Sequence, residues 1–328
     1  MAKVTGRRAF LGWMLWSSAA WASDKTSLSE DASALYTGSI GHRQPAVSEE
    51  IRLWPDAPPG GGGPEGAPHV GHHGAVSHIA TPVMRMVLPE RPNGTSVLIA
   101  AGGGYRFEEI EKEAMAGADW LTARGVTAFV LTYRLPGEGW LAGPKAPLQD
   151  AARAMRLIRS RARSLSLDPD RIGCMGFSAG GHLMGMLATR FDERLYPPQD
   201  AADSLSARPD FAILAYPVIT LKPPYDHTST RKQLIGSHPS AKETAEWSVE
   251  THVKKGDPPF FLVQAKDDPI SNIENSMIMR AALKKAGVPV KLEIMDKGGH
   301  GFAMGKGHDG HVTWTPMLET WMRSNDLL

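Results

Sequence analysis

The segment Ile172-Gly173-Cys174-Met175-Gly176-Phe177-Ser178-Ala179-Gly180-Gly181-His182 decides the fold. Its apolar start (Ile172, Cys174, Met175) reads as a strand and His182 to Arg190 as a helix, with Gly176-Phe177-Ser178-Ala179-Gly180 as the sharp turn between them. The outer glycines of such a turn let strand and helix backbones approach without Cβ clashes. The serine takes a strained φ/ψ that lifts its Oγ clear of the sheet. A hydroxyl becomes a usable nucleophile only when it is exposed, oriented and relieved of its proton, so Ser178 is the first candidate for catalysis. The pentapeptide alone is weak, since at roughly 7% each for Gly and Ser a chain of this length meets it by chance about one time in ten. An acid and then a base must follow downstream, each just past a strand.

Both follow. Pro258 to Val263 is a buried-type strand that runs into the polar turn Gln264-Ala265-Lys266-Asp267-Asp268-Pro269, which offers two neighbouring carboxylates. Of these Asp268 is preferred as the acid, with Asp267 as the alternative and the other as a solvated turn residue. Lys291 to Met295 is a further strand ending in Gly298-Gly299-His300-Gly301, and glycines on both sides suit a loop tip that brings an imidazole close to other backbone. The expected triad is Ser178, Asp268 and His300. Among the twelve histidines, His182 is expected to pack or hydrogen-bond on the helix after Ser178. His69, His72 and His73 lack a Cys or carboxylate at ligand spacing, so no metal is expected.

Attack on a carbonyl puts negative charge on its oxygen, which fixed backbone N–H donors stabilise better than water that must reorganise. One donor should be Ala179, directly after the nucleophile. Others should come from Gly103 and Gly104 in the loop Ala101-Gly102-Gly103-Gly104-Tyr105, where no side chain intervenes. That loop lacks the spacing and the lysine of a phosphate-binding turn.

Working outward, strand-like runs are expected near Ile51–Trp54, Val83–Leu88, Ser96–Ala101, Thr127–Thr132, Arg171–Met175, Phe211–Tyr216, Phe260–Gln264 and Val290–Met295. No convincing helix separates the first two, so an antiparallel hairpin should lead into a mainly parallel α/β sheet with helices on both faces. Ala114, Ala118 and Leu121, and then Ala151, Met155, Ile158 and Ala162, mark helix faces toward the core, with Gly125 as a C-cap. Ser178, Asp268 and His300 follow the fifth, seventh and eighth strands, at the carboxyl ends where such sheets bind ligands. The segment 222–257 is too long for a simple connection and reads either as a lid or as a surface excursion with one helix around Ala241–Trp247. Trp140, Tyr105, Tyr225 and Trp247 fit a sugar-stacking wall as well as they fit core packing.

At the N-terminus, Gly6-Arg7-Arg8-Ala9-Phe10-Leu11 precedes an apolar stretch to Trp21 and the small-residue site Ala20-Trp21-Ala22. Paired arginines in this setting look like a twin-arginine signal over residues 1–22, and the apolar stretch is too short to span a bilayer. Residues 23–45 read as a polar linker and 46–328 as one catalytic domain. Cleavage after Ala22 removes Lys3, Arg7 and Arg8 and takes the formal charge from +1 to −2, so nothing electrostatic favours nucleic acid or acidic lipid. Export to the periplasm or beyond is expected, with no stable membrane insertion afterwards. The single Cys174 excludes an intramolecular disulfide.

The chain resembles the α/β-hydrolases, and within them bacterial carbohydrate esterases similar to acetylxylan and feruloyl esterases. The likeness runs from Ile51-Arg52-Leu53-Trp54-Pro55 through Gly102-Gly103-Gly104-Tyr105, Tyr133-Arg134-Leu135, Asp150-Ala151-Ala152-Arg153-Ala154, Gly176 to His182, and Asp268-Pro269 to Gly299-His300-Gly301-Phe302. It implies an eight-stranded sheet, a Ser-Asp-His triad, no cofactor, and release of acyl groups, often acetyl, from saccharide esters. It departs at Ala101, where relatives commonly carry Pro or His. Neither fold nor triad fixes the scissile bond: a peptidase, lactonase, formamidase, acyltransferase or non-catalytic binding protein remain the alternatives, and the oligomeric state is not written in the sequence.

Overall fold

The computed structural model describes residues 47–307 and 310–328; the expected signal segment and linker lie outside the described residues. Eight strands form the main sheet: β1 Val47–Arg52, β2 Val83–Val87, β3 Ser96–Ala100, β4 Thr127–Thr132, β5 Ile172–Phe177, β6 Ala212–Ala215, β7 Phe260–Ala265 and β8 Val290–Met295. Their spatial order is β1-β2-β4-β3-β5-β6-β7-β8. β2 runs antiparallel to both neighbours and every other pairing is parallel. This is the α/β-hydrolase arrangement. The expected antiparallel first pair is present, but the excursion 53–82 joins it where a hairpin turn was expected.

Side-chain pattern follows position in the sheet. β3, β4, β5 and β7 are buried along their whole length, so they read as nearly continuous apolar runs, whereas the edge strands β1 and β8 mix half-buried and exposed positions. Seven helices surround the sheet: α1 Ala116–Thr122, α2 Lys145–Arg161, α3 Ser178–Arg190, α4 Ser229–Ile235, α5 Ala241–Glu246, α6 Glu274–Ala286 and α7 Thr315–Ser324, counted among the described residues. Ala114, Ala118, Leu121, Ala151, Met155, Ile158 and Ala162 all face the core. The register matters for the site: Ala100 pairs with Gly176, Phe177 with Ala215, and Ala265 with Met295. Neighbouring strands from β3 to β8 therefore end within two residues of each other, and the loops that leave them emerge on one rim.

Behind that rim lies a buried ion pair. Arg134, two residues past β4, donates through Nη2 to Asp150 Oδ1 at 2.9 Å, and both side chains are wholly inaccessible. Asp150 also accepts the Arg134 N–H at 2.9 Å and the Trp54 indole N–H at 2.8 Å, while the guanidinium reaches Gln149 Oε1 at 2.9 Å and the Pro59 carbonyl at 3.0 Å. Every partner left behind would be buried, so truncating one member strands the other charge. Arg134→Ala is expected to lower the unfolding free energy by about 3–5 kcal/mol, measured by urea denaturation; a loss under about 1 kcal/mol would show that water repairs the gap.

Candidate active site

The chain turns sharply where β5 meets α3. Phe177 is still extended (φ −116°, ψ 134°) and Ser178 swings to φ +50°. Two glycines make this possible, because a Cβ on Gly176 would stand 2.2 Å from the Gly180 carbonyl oxygen and one on Gly180 would stand 2.2 Å from that of Ala100. The Val218 N–H fixes the Ser178 carbonyl at 3.2 Å, leaving the side chain to point over the rim.

There the three separated side chains meet. Ser178 Oγ lies 2.8 Å from His300 Nε2, and His300 Nδ1 lies 2.8 Å from Asp268 Oδ2. An ionised carboxylate only accepts, so the ring proton sits on Nδ1 and Nε2 is left with a lone pair for the serine O–H. Asp268 is itself held: its Oδ1 accepts the N–H groups of Ile270 and Ser271, both at 2.8 Å, and its Oδ2 accepts the Gln264 amide at 2.9 Å. Asp267 is exposed and does something else, accepting the Gly299 N–H at 2.9 Å and so bracing the loop that carries the imidazole. Tyr216 and the His300 ring pack in a T-shaped contact at a centroid distance of 5.1 Å.

In the glycine loop, Gly103 (φ +118°) and Gly104 (φ +64°) take conformations open to glycine, and their N–H groups have no acceptor among the described residues. They line a cavity of about 270 Å³ together with Ser178 and His300. Ala179 lies in the first turn of α3, where N–H groups have no partner one turn back. Gly102 is occupied differently, since its N–H is bound at 2.6 Å by Glu113 Oε2. The buried departure at Ala101 is tied by its carbonyl to the Tyr133 hydroxyl at 2.8 Å.

Glu113 is a residue that the sequence reading missed. It lies in the wide π-type turn Ile110–Met115 that precedes α1, which buries Glu113 beside Ala114 instead of leaving it on the polar face. Its Oε1 accepts the Tyr216 hydroxyl proton at 2.9 Å, and that hydroxyl oxygen accepts the Ala303 N–H at 3.0 Å. One carboxyl thus joins the glycine loop, the end of β6 and the histidine loop. Burial raises its pKa, offset partly by the Gly102 and Tyr216 hydrogen bonds. The only hint in the sequence is a carboxylate next to an apolar helix face.

His182 packs as expected, fully enclosed on α3. Its Nε2–H donates to the Trp247 carbonyl at 2.8 Å, so Nδ1 accepts the Tyr105 hydroxyl proton at 3.0 Å. Burial lowers its pKa from 6.5 to about 4. Between those values the unfolded chain binds a proton that the folded chain refuses, so stability must fall as pH drops through this window and be unaffected by His182 above it. A His182→Asn variant, weaker overall, should lose about 2 kcal/mol less than the parent between pH 7 and pH 4.5 in urea titrations. Parallel losses in the two proteins would contradict the assignment.

Tyr105, Trp140 and Trp247 are buried, so the aromatic wall reduces to core packing at those three positions. The segment 222–257 carries two helices, α4 and α5, in place of the single one expected, and it is anchored over the site. Ser229 Oγ donates to the Gly104 carbonyl at 3.1 Å, and Thr228, Ser229 and Thr230 line the cavity. Among the described residues no group of three or more His, Cys, Asp or Glu is placed to hold a metal, and no helix is long and apolar enough to cross a membrane.

Comparison with known proteins gives this geometry a context. An endo-1,4-beta-xylanase B of Butyrivibrio fibrisolvens is 35% identical over 208 residues, 63% of this chain and 32% of its own. An acetylxylan esterase of Xylanibacter ruminicola is 30% identical over 242 residues, 72% of this chain and 47% of its own. The chain therefore spans about a third to a half of the curated relatives it matches. The crystal structure of an acetyl ester-xyloside bifunctional hydrolase from Caldicellulosiruptor lactoaceticus superposes with a TM-score of 0.70 at 32% identity, covering 85% of this chain and 97% of that one. The BD-FAE family profile matches residues 85–283, from β2 through most of α6. With the sheet order and the nucleophile turn in place, the chain belongs to the BD-FAE family of α/β-hydrolases.

Proposed function

We propose that the protein is a serine carboxylic ester hydrolase that removes acetyl or similar acyl groups from carbohydrates. The observation that carries the reading is the continuous contact from Ser178 Oγ through His300 to Asp268, 2.8 Å at each step. In this mechanism His300 Nε2 takes the serine proton as Oγ attacks the acyl carbonyl, and Asp268 holds the tautomer and stabilises the imidazolium. The negative oxygen of the tetrahedral intermediate is received by the N–H groups of Ala179, Gly103 and Gly104. His300 then protonates the departing alcohol, and water repeats the sequence to release the acid. The base works only as neutral imidazole.

The acetylated-saccharide preference is supported by the named activities of the Xylanibacter and Caldicellulosiruptor proteins. The paired arginines Arg7-Arg8 ahead of Phe10-Leu11 support export through a twin-arginine route and action outside the cytoplasm. The purified protein should release acetate from p-nitrophenyl acetate and from acetylated xylo-oligosaccharides, and should leave short peptides intact. Cleavage of peptides, lactones or formamides with no turnover of acyl saccharides would overturn the proposal.

A further inference from the structure

Two cations stand beside the reacting atoms and have no role in the acyl chemistry. Arg106 and Lys112 line the same cavity as Ser178 and His300, and both are exposed. No carboxylate of the described residues lies within 4.0 Å of either. The lining contains two carboxyl groups besides. Glu113 is committed to Gly102 and Tyr216, and Glu109 lies beyond ion-pair distance of both cations. A pocket wall with two free cations against one free carboxylate favours an anion.

The positions say which end of the substrate carries it. His300 hands its proton to the departing alcohol, so that oxygen must lie against the imidazole. Lys112 Nζ is 3.2 Å from the point where a Cβ on Gly301, the next residue, would stand. Arg106 is presented from the turn that follows the glycine loop, its N–H bound to the Gly103 carbonyl at 3.1 Å. Lys112 therefore stands on the alcohol side of the scissile bond, and Arg106 lines the same cavity from the glycine-loop end.

We infer that Arg106 and Lys112 bind a carboxylate on the departing alcohol, so that the preferred substrates are acyl esters of acidic saccharides, those bearing a uronic acid. The inference rests on the ester-hydrolase reading and narrows its substrate class. Charge-assisted contacts from a guanidinium and an ammonium to one carboxylate are stronger than neutral hydrogen bonds and weaken with salt.

The test compares the two acetyl esters 4-acetoxybenzoate and 4-acetoxybenzamide, whose departing phenols differ in charge and little in shape, with the 3-substituted pair to vary the reach. The quantity read is the ratio of kcat/KM for the charged ester to that for the neutral one. Arg106→Gln and Lys112→Gln are each expected to lower this ratio by about fivefold to tenfold, and Lys112→Glu by more. In the parent protein 0.5 M salt should erode it, and comparable melting temperatures across the variants would place the effect in recognition. An unchanged ratio in all three variants, with the amide still turned over, would overturn the inference and leave the esterase reading standing. Failure of the parent to hydrolyse any of the four esters would overturn both.

Discussion

Ser178→Ala is expected to reduce kcat for p-nitrophenyl acetate by a factor on the order of 10⁶, with a melting temperature close to that of the parent. The change removes one oxygen at a turn whose backbone is set by other residues, since Gly176 and Gly180 give the close approach and Val218 holds the carbonyl. Ser178 supplies the hydroxyl that touches His300 Nε2, and without it His300 would be left without the O–H it deprotonates. Residual turnover should reflect binding and the N–H donors alone, which elsewhere leave about 10³- to 10⁴-fold acceleration over water. A variant that keeps a tenth or more of the activity would move the nucleophile elsewhere.

Asp268→Ala should lower kcat by about 10⁴-fold, whereas Asp267→Ala should lower it by about tenfold or less. The contrast follows from what each carboxylate touches. Asp268 sits on Nδ1 and fixes the tautomer, so without it the ring is free to present a proton to the serine instead of a lone pair. Asp267 accepts the Gly299 N–H, which steadies the loop without entering the proton path. Paired kinetics on the two variants check this directly, and equal effects would show that loop position matters as much as the tautomer.

These two residues also mark how far the sequence could be read. Chain order, strand ends and glycine flanks singled out Ser178, His300 and a pair of adjacent aspartates, because each signal is local. Choosing between neighbours on one turn needs the turn itself: Asp268 is directed inward by the N–H groups of Ile270 and Ser271, which no spacing rule encodes. The strands Thr127–Thr132 and Val290–Met295 matched residue for residue, bounded as they are by Gly125 and Val126 on one side and by Pro289 and Asp296 on the other. β1 was expected at Ile51–Trp54 and begins at Val47, because Ser48-Glu49-Glu50 lies on an edge strand whose exposed face tolerates charge.

Glu113 could not be read at all. An unbroken 3.6-residue period was assumed from Ala114 onward, and the π-type turn that rotates Glu113 inward has no signature in composition. α4 was missed for a related reason, being seven residues long with few apolar positions, although Thr228 stands at its N-cap and accepts the Arg231 N–H at 3.2 Å. Aromatic residues near a site look the same in sequence whether they line a groove or fill the core, and at Tyr105, Trp140 and Trp247 the core prevailed.

The account stands on Ser178 being an activated nucleophile, and covalent labelling measures that most directly. The purified protein is treated with a fluorophosphonate, digested, and mapped by mass spectrometry, with Ser178→Ala alongside. The account predicts one stoichiometric phosphonyl adduct, on the peptide containing Gly176-Phe177-Ser178-Ala179-Gly180, with none in the variant. An unmodified Ser178, or an adduct of equal yield on another residue in both proteins, would contradict it.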